Sequence, residues 1–279
     1  MHRSAWRLAY DGSSVALVLA AALTVTLAPS SKASAFVRST VDGQEARYLF
    51  WRYRTVRLRP AYASSGDLDD ATVAGVVARS VNTWNAAGAG CPSDFLFVDL
   101  GPPTGLSTNL SGGGHDGENR IVFREDTWPA GADPGTIALT TTVYRKSTGQ
   151  ILDADVDING VDFVFTADAD PMLTQTDMEN TLTHELGHVL GLAHVPNPEA
   201  TMFASSETGE VKKRSLDADD IAGLCWIYPD GLVTPGAPTS FAQPITSSCA
   251  LSVAPVRPGP ALGALSLLAV VLVIRRRRA

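Results

Sequence analysis

His184-Glu185-Leu186-Gly187-His188-Val189-Leu190-Gly191-Leu192-Ala193-His194 reads as a helix running into a turn, with Met202 eight residues beyond the last histidine. At 3.6 residues per turn, His184 and His188 stand one turn apart on one helix face, so both imidazoles reach a single ion. Glu185 lies beside them, offset around the helix. Gly191 is expected to take the left-handed conformation that ends a helix and sends the chain back under the metal, delivering His194 as third ligand. Three protein ligands leave one tetrahedral position for water, as in a catalytic rather than a closed structural zinc site. Zinc lowers the pKa of such a water from about 15.7 towards ~7, and a carboxylate within hydrogen-bond reach takes its proton. Glu185 fits that role as general base. The five-residue HExxH alone also arises by accident on amphipathic helices; Gly191, His194 and Met202 at their spacings make the longer pattern specific.

With 279 residues, 45% hydrophobic content and 24 glycines, the chain can bury one good-sized core and carry appendages. Arg3 and Arg7 precede an apolar run over residues 15–28, and Ala33-Ser34-Ala35 offers small residues at a signal-peptidase spacing. Residues 1–35 therefore read as a secretory signal peptide cleaved before Phe36, the apolar run being short for a span of ~30 Å of hydrocarbon. Residues 36–230 form the folded domain, and residues 231–260, rich in Pro, Ser, Thr and Ala, a linker. Residues 261–279 hold an apolar segment, read as a helix, and then Arg275 to Arg278, which favour the cytoplasmic side. This end is either a short membrane anchor or a transient one. It resembles the three-part carboxyl-terminal sorting signals of bacterial surface proteins, which implies Cys249 as the sorting cysteine. The expected location is the cell surface or outer envelope, or the medium after the tail is processed.

Between Phe36 and Asp230 stand 28 acidic residues against 14 basic ones, a net −14 compared with −7 for the whole chain. Such a field excludes nucleic acid as a partner and favours cations. Three cysteines in an exported protein should not all be free; a Cys91–Cys225 disulfide with Cys249 unpaired is the simplest partition, against two buried thiols.

A strand is expected over residues 52–59, and then a helix capped by Asp67, with Val73, Val76, Val77, Val81 and Trp84 at helical spacing until Gly88 and Gly90. Residues 95–100 and 119–124 have strand character around a Gly-rich loop. Residues 138–145 and 150–158 form a hairpin closed near Ser147-Thr148-Gly149. In its second strand Asp153, Asp155, Asp157 and Asn159 share one face, either a solvated face or, with Asp168 and Asp170, oxygen ligands for Ca2+. The zinc helix is expected to begin near Thr176, whose spacing to Glu179 makes a capping box, and to run to Leu190. Ser215 is expected to cap a last helix carrying Ile221, Leu224, Cys225 and Tyr228.

With these elements in place, the chain resembles a metzincin metalloprotease, closest to the matrixin branch. The stretch HELGHVLGLAH fits the zinc-binding consensus, Pro198-Glu199-Ala200-Thr201-Met202 resembles the Met-turn, and residues 216–228 resemble the closing helix. The resemblance implies an α+β zincin-like fold, a mixed five-stranded sheet with two long helices plus a carboxyl-terminal helix, the cleft crossing the edge strand. It carries over His184, His188 and His194 as ligands to one catalytic Zn2+, Glu185 as base and Met202 as the turn residue beneath the metal. No tyrosine stands two residues after Met202, which separates the chain from the astacin and serralysin branches. His115 lacks the partners of a structural zinc and reads as a loop residue. The implied activity is zinc-dependent endopeptidase action on protein or peptide substrates by a monomer attached to the envelope through its tail. The rival is a binding module that keeps the metal but does not cut; the presence of Glu185 argues for the enzyme.

Overall fold

The computed structural model describes residues 36–112, 115–129, 133–238 and 265–271; residues 1–35, read above as a signal peptide, Cys249 and Arg275 to Arg278 lie outside these described residues. The central sheet is built from β1 (Phe50–Trp51), β2 (Thr55–Pro60), β3 (Leu96–Asp99), β4 (Asn119–Arg124), β5 (Ala138–Arg145), β6 (Gln150–Asn159) and β7 (Leu265–Val271). Its order is β7-β5-β6-β4-β2-β3, with β1 alongside the start of β6. The pairs β2–β3, β2–β4, β4–β6 and β1–β6 are parallel, whereas β5 runs antiparallel to both β6 and β7. Five of these strands make the expected mixed sheet. The difference lies at its edge, where residues 265–271 pair with β5 as a strand instead of forming a helix. A run rich in Leu and Val suits a strand as well as a helix, and here one side of its backbone pairs with β5.

Three helices accompany the sheet: α1 (Asp70–Gly90), α2 (Met178–Leu190) and α3 (Ala218–Ile227). α1 buries Val73, Val76, Val77, Ser80, Trp84 and Gly88, a 3.6-residue stripe. Its cap is Asp69, whose carboxylate accepts from Thr72 N (2.8 Å), not Asp67, which accepts from Phe165 N (2.8 Å). α2 is buried along its whole length. Trp84 Nε1 donates to Thr183 O (2.8 Å) and Thr183 Oγ1 to Ser80 Oγ (3.1 Å), which sets α2 against α1 in rotation as well as distance. The last turn of α2 leaves carbonyls without helical partners, and two are met from outside the helix. Trp51 Nε1 donates to Val189 O (2.7 Å) and Tyr228 Oη to Leu190 O (2.7 Å).

Two further caps differ from the sequence expectation. Thr176 and Asp177 form a two-residue strand parallel to Phe165–Thr166, and Asp177 caps α2 by accepting from Asn180 N (2.7 Å). Glu179 is drawn away to Arg79 (2.5 Å). α3 is capped by Asp217 in a capping box with Asp220, while Ser215 closes a single 3-10 turn over Lys212–Arg214. Each region holds several Asp, Ser or Thr residues competent to cap, and tertiary partners choose among them.

Cys91, at the end of α1, and Cys225, in α3, form a disulfide with a Cα–Cα distance of 6.0 Å across 134 positions of chain. Closing so long a loop restricts the unfolded chain strongly. Replacing both cysteines with alanine is expected to lower unfolding free energy by roughly 3–5 kcal/mol, measured by urea titration of oxidised wild type and the double variant under the same conditions.

Candidate metal centre

α2 presents His184 and His188 one turn apart, and Gly191 then adopts φ +108°. Its N–H closes on His188 O (3.0 Å), and a Cβ there would sit 3.2 Å from Leu49 O, so conformation and crowding both call for glycine. Past this turn His194 swings back towards the helix. Its Nε2 stands 3.3 Å from His184 Nε2 and 3.0 Å from His188 Nε2.

The outer nitrogens decide the chemistry of this cluster. His184 Nδ1 lies 2.5 Å from Thr201 O, and His188 Nδ1 lies 2.9 Å from Leu192 O. A carbonyl only accepts, so both Nδ1 atoms carry the proton and both Nε2 atoms present bare lone pairs. Those lone pairs converge on His194, whose single ring proton could serve only one of them. A cation between the three resolves the conflict. Zn–N bonds of 2.0–2.1 Å in a tetrahedron place neighbouring nitrogens about 3.3 Å apart, close to the spacing found. Burial also keeps the rings neutral, the ligating form. It pushes His188 down to about 3 and His194 to about 4, and holds His184 well below the usual range, with the Lys213 charge adding to all three. Among the described residues, His184, His188 and His194 are the one group of His, Cys, Asp and Glu side chains near enough together to hold a metal ion.

Glu185 is fully buried next to them. Its Oε2 accepts from Thr140 Oγ1 (2.6 Å) on β5, and its Oε1 has no partner among the described residues. Burial raises the carboxyl to about 7. Met202 lies under the site against Gly187, where any Cβ would overlap Met202 Sδ and press on Trp84. The turn carrying Met202 is fastened by Asp220 of α3, which accepts from Thr201 N (2.8 Å) and Met202 N (3.1 Å). Thr201 therefore links α3 to the metal site, its N–H to Asp220 and its carbonyl to His184. Thr140, Asp220 and Lys213 escaped the sequence reading, because nothing in their local pattern distinguishes them from surface polar residues.

The aspartate row on β6 is not a solvated face. Asp153, Asp155, Asp157 and Asn159 are all buried. The long loop before β4 folds over them and supplies donors: Asp116 N and Gly117 N to Asp153 (3.0 and 3.2 Å), Asn109 N to Asp155 (2.8 Å), Thr108 Oγ1 to Asp157 (2.9 Å). Arg120 N donates to Asp155 (2.7 Å) and Arg124 Nε to Asp157 (2.6 Å). His115 sits in this loop with Nδ1 3.3 Å from Asp153 Oδ2, apart from the metal site.

Residues 116–229 match the matrixin family. The chain carries a matrixin-like metzincin domain. Metalloendoproteinase 2-MMP of Arabidopsis thaliana is 36% identical over 98 residues, covering 34% of this chain and 24% of that protein. Human matrilysin is 26% identical over 187 residues, 64% of this chain and 58% of matrilysin. Human matrix metalloproteinase-15 is 37% identical over 92 residues, 30% of this chain and 14% of that protein. The chain thus spans less than two thirds of the length of each. The matched segment holds all three histidines, Glu185, Met202 and Asp220.

Two variants probe this architecture. Asp220→Ala strands the buried Thr201 and Met202 amides, and a loss of about 2–4 kcal/mol is expected by chemical unfolding, together with weaker zinc retention. Burial, with the Asp153 charge, raises Asp155 to about 7. The folded state therefore holds that proton more tightly than the unfolded chain, so stability from this group is full below about pH 4 and is lost as pH rises to about 7. Asp155→Asn should remove this component, its stability relative to wild type rising between pH 4.5 and 7.5 in urea titrations.

Proposed function

We propose that this protein is an exported zinc endopeptidase that hydrolyses peptide bonds in protein substrates, with His184, His188 and His194 holding Zn2+ and Glu185 as general base. The observation that carries this reading is the convergence of three Nε2 atoms, two of them held unprotonated by backbone carbonyls at Nδ1, beside a carboxylate with one oxygen left unpartnered. When bound, zinc supplies an acidified water and polarises the scissile carbonyl.

Everything else falls to the chain. Thr140 Oγ1 holds Glu185 by Oε2, which leaves Oε1 as the atom that receives the proton from water. A carboxyl near 7 is matched to its task, ionised often enough to accept a proton and acidic enough to pass it to the leaving amine. The carbonyls of Thr201 and Leu192 keep two imidazoles in the ligating tautomer through the cycle. In this reading residues 203–214, after the Met202 turn, shape the pocket after the cut. The basic amino-terminal segment with its small-residue site and the apolar tail ending in four arginines support export and attachment to the envelope, with the domain acting outside the membrane as a monomer.

The full-length chain should bind one zinc and cleave an unfolded protein, with cleavage abolished by a chelator and restored by zinc. Glu185→Ala should keep the metal, measured by elemental analysis, and lose on the order of 10²–10⁴-fold in kcat/KM. Cleavage at the parental rate by Glu185→Ala would show that another group is the base.

A further inference from the structure

The central sheet is interrupted. β4 pairs with β2 only from Leu58 onward and with β6 only from Val156 onward. Before those positions, residues 55–57 of β2 and 152–155 of β6 have no strand between them among the described residues. β1 closes one end of this opening by pairing with Gln150 and Ile151. Asn119 spans the other, its Nδ2 donating to Arg57 O (2.8 Å) and its Oδ1 accepting from Ala154 N (2.9 Å). A cavity of about 670 Å³ lies between, lined from residues 51–57 on one side and Gln150 to Leu152 on the other. Ligand sites are usually of roughly 300–1,000 Å³.

Buried Val56 and Ile151 give the cavity an apolar base, and the Tyr53 side chain, 71% exposed, adds an aromatic surface. Its charged lining is basic: Arg52, Arg54 and Arg57 against Asp94. Arg54 pairs with Asp94 and donates to the carbonyls of Pro229 and Leu232, so those two charges are engaged within the fold. Arg57 is exposed, and among the described residues its guanidinium has no hydrogen-bond or ion-pair partner. In a domain of net charge −14 this is a local reversal of sign. The backbone adds direction. Arg54 O and Leu58 O accept from Leu96 N (2.7 Å) and Leu100 N (3.0 Å) on the β3 side, so the alternate peptide groups, those of Thr55 and Arg57, face the opening. A short strand edge over an apolar base, with a guanidinium beside it, suits an extended peptide that carries carboxylates.

We infer that this opening is a second binding site, a slot for an extended acidic peptide segment in which Arg57 pairs with a carboxylate. None of the residues that line it is a ligand of the metal centre or belongs to α2 or the Met202 turn, so the slot stands independently of the endopeptidase reading. A charge-assisted pair at a partly exposed site is expected to give about 5- to 10-fold in affinity, and more at low ionic strength.

The experiment is a fluorescence-anisotropy titration of the zinc-loaded full-length protein, carrying Glu185→Gln to prevent turnover, with a labelled peptide alternating Glu and Leu and with its counterpart alternating Gln and Leu. The Glu peptide should bind about 5- to 10-fold more tightly. Adding Arg57→Gln should remove that difference, and adding Arg57→Lys should retain most of it. Thermal unfolding should place both variants with their parent, because the guanidinium holds nothing within the described fold. Equal binding of the two peptides by the parent, or a Glu preference that survives Arg57→Gln, overturns the slot and leaves the endopeptidase reading intact. Failure of the wild-type protein to cleave overturns that reading and leaves the slot to be judged by the titration alone.

Discussion

Two hydrogen bonds from imidazole Nδ1 to backbone carbonyls, His184 to Thr201 and His188 to Leu192, are the constraint on which the rest of this structure depends. They fix the tautomer, aim the lone pairs inward, and require two distinct stretches of chain to return to the zinc helix at set heights. Leu192 returns through the left-handed turn at Gly191. Thr201 returns through the loop that carries Met202, and that loop is held by Asp220. The carboxylate of Asp220 in turn depends on α3, which the disulfide ties to the end of α1. A chain of short-range contacts therefore connects the two outer helices to the orientation of one imidazole.

The sheet contributes the other half of the chemistry. Thr140 on β5 is the single side chain that hydrogen-bonds Glu185 among the described residues, so the strand next to α2 sets where this carboxylate points. Parallel pairing through β4 and β6 holds the interior of the sheet, and the antiparallel turn of β5 brings its polar Thr140-Thr141-Thr142 run over the helix. Burying Glu185 without a cation of its own lifts its pKa, and the same burial keeps the histidines unprotonated. One physical effect, removal from water, thus moves the carboxyl and the imidazoles in opposite directions, each towards its neutral form.

The zinc helix, its three histidines, the Gly191 turn, Met202 and the hairpin were legible because each rests on a short-range rule: helical spacing, glycine at positive φ, or alternation along a strand. The caps were less so. Asp67, Asp69, Thr176, Asp177, Ser215 and Asp217 are all competent, and the selection of Asp69, Asp177 and Asp217 reflects what Phe165, Arg214 and Thr201 require of the neighbouring groups. The aspartate row shows the same thing from the other side. Its period of two is real, but a loop that lies over it supplies amides and guanidinium groups, so an apparent solvated face is interior.

By itself the sequence determined which side chains could hold a metal, because His184, His188 and His194 follow from residue type at helical spacing and a glycine turn. It also determined the elements of the matrixin-like fold, since apolar periodicity specifies which faces must be buried. Only the tertiary structure decided the rest: Thr140 on Glu185, Asp220 on the Met202 turn, Lys213 on the carbonyls of Phe203 and Ser205, and the strand over residues 265–271 on the sheet edge. The hydrogen bonds among these contacts join residues 8 to 45 positions apart, and a hydrogen bond of 2.6–3.1 Å depends on packing that no local pattern encodes.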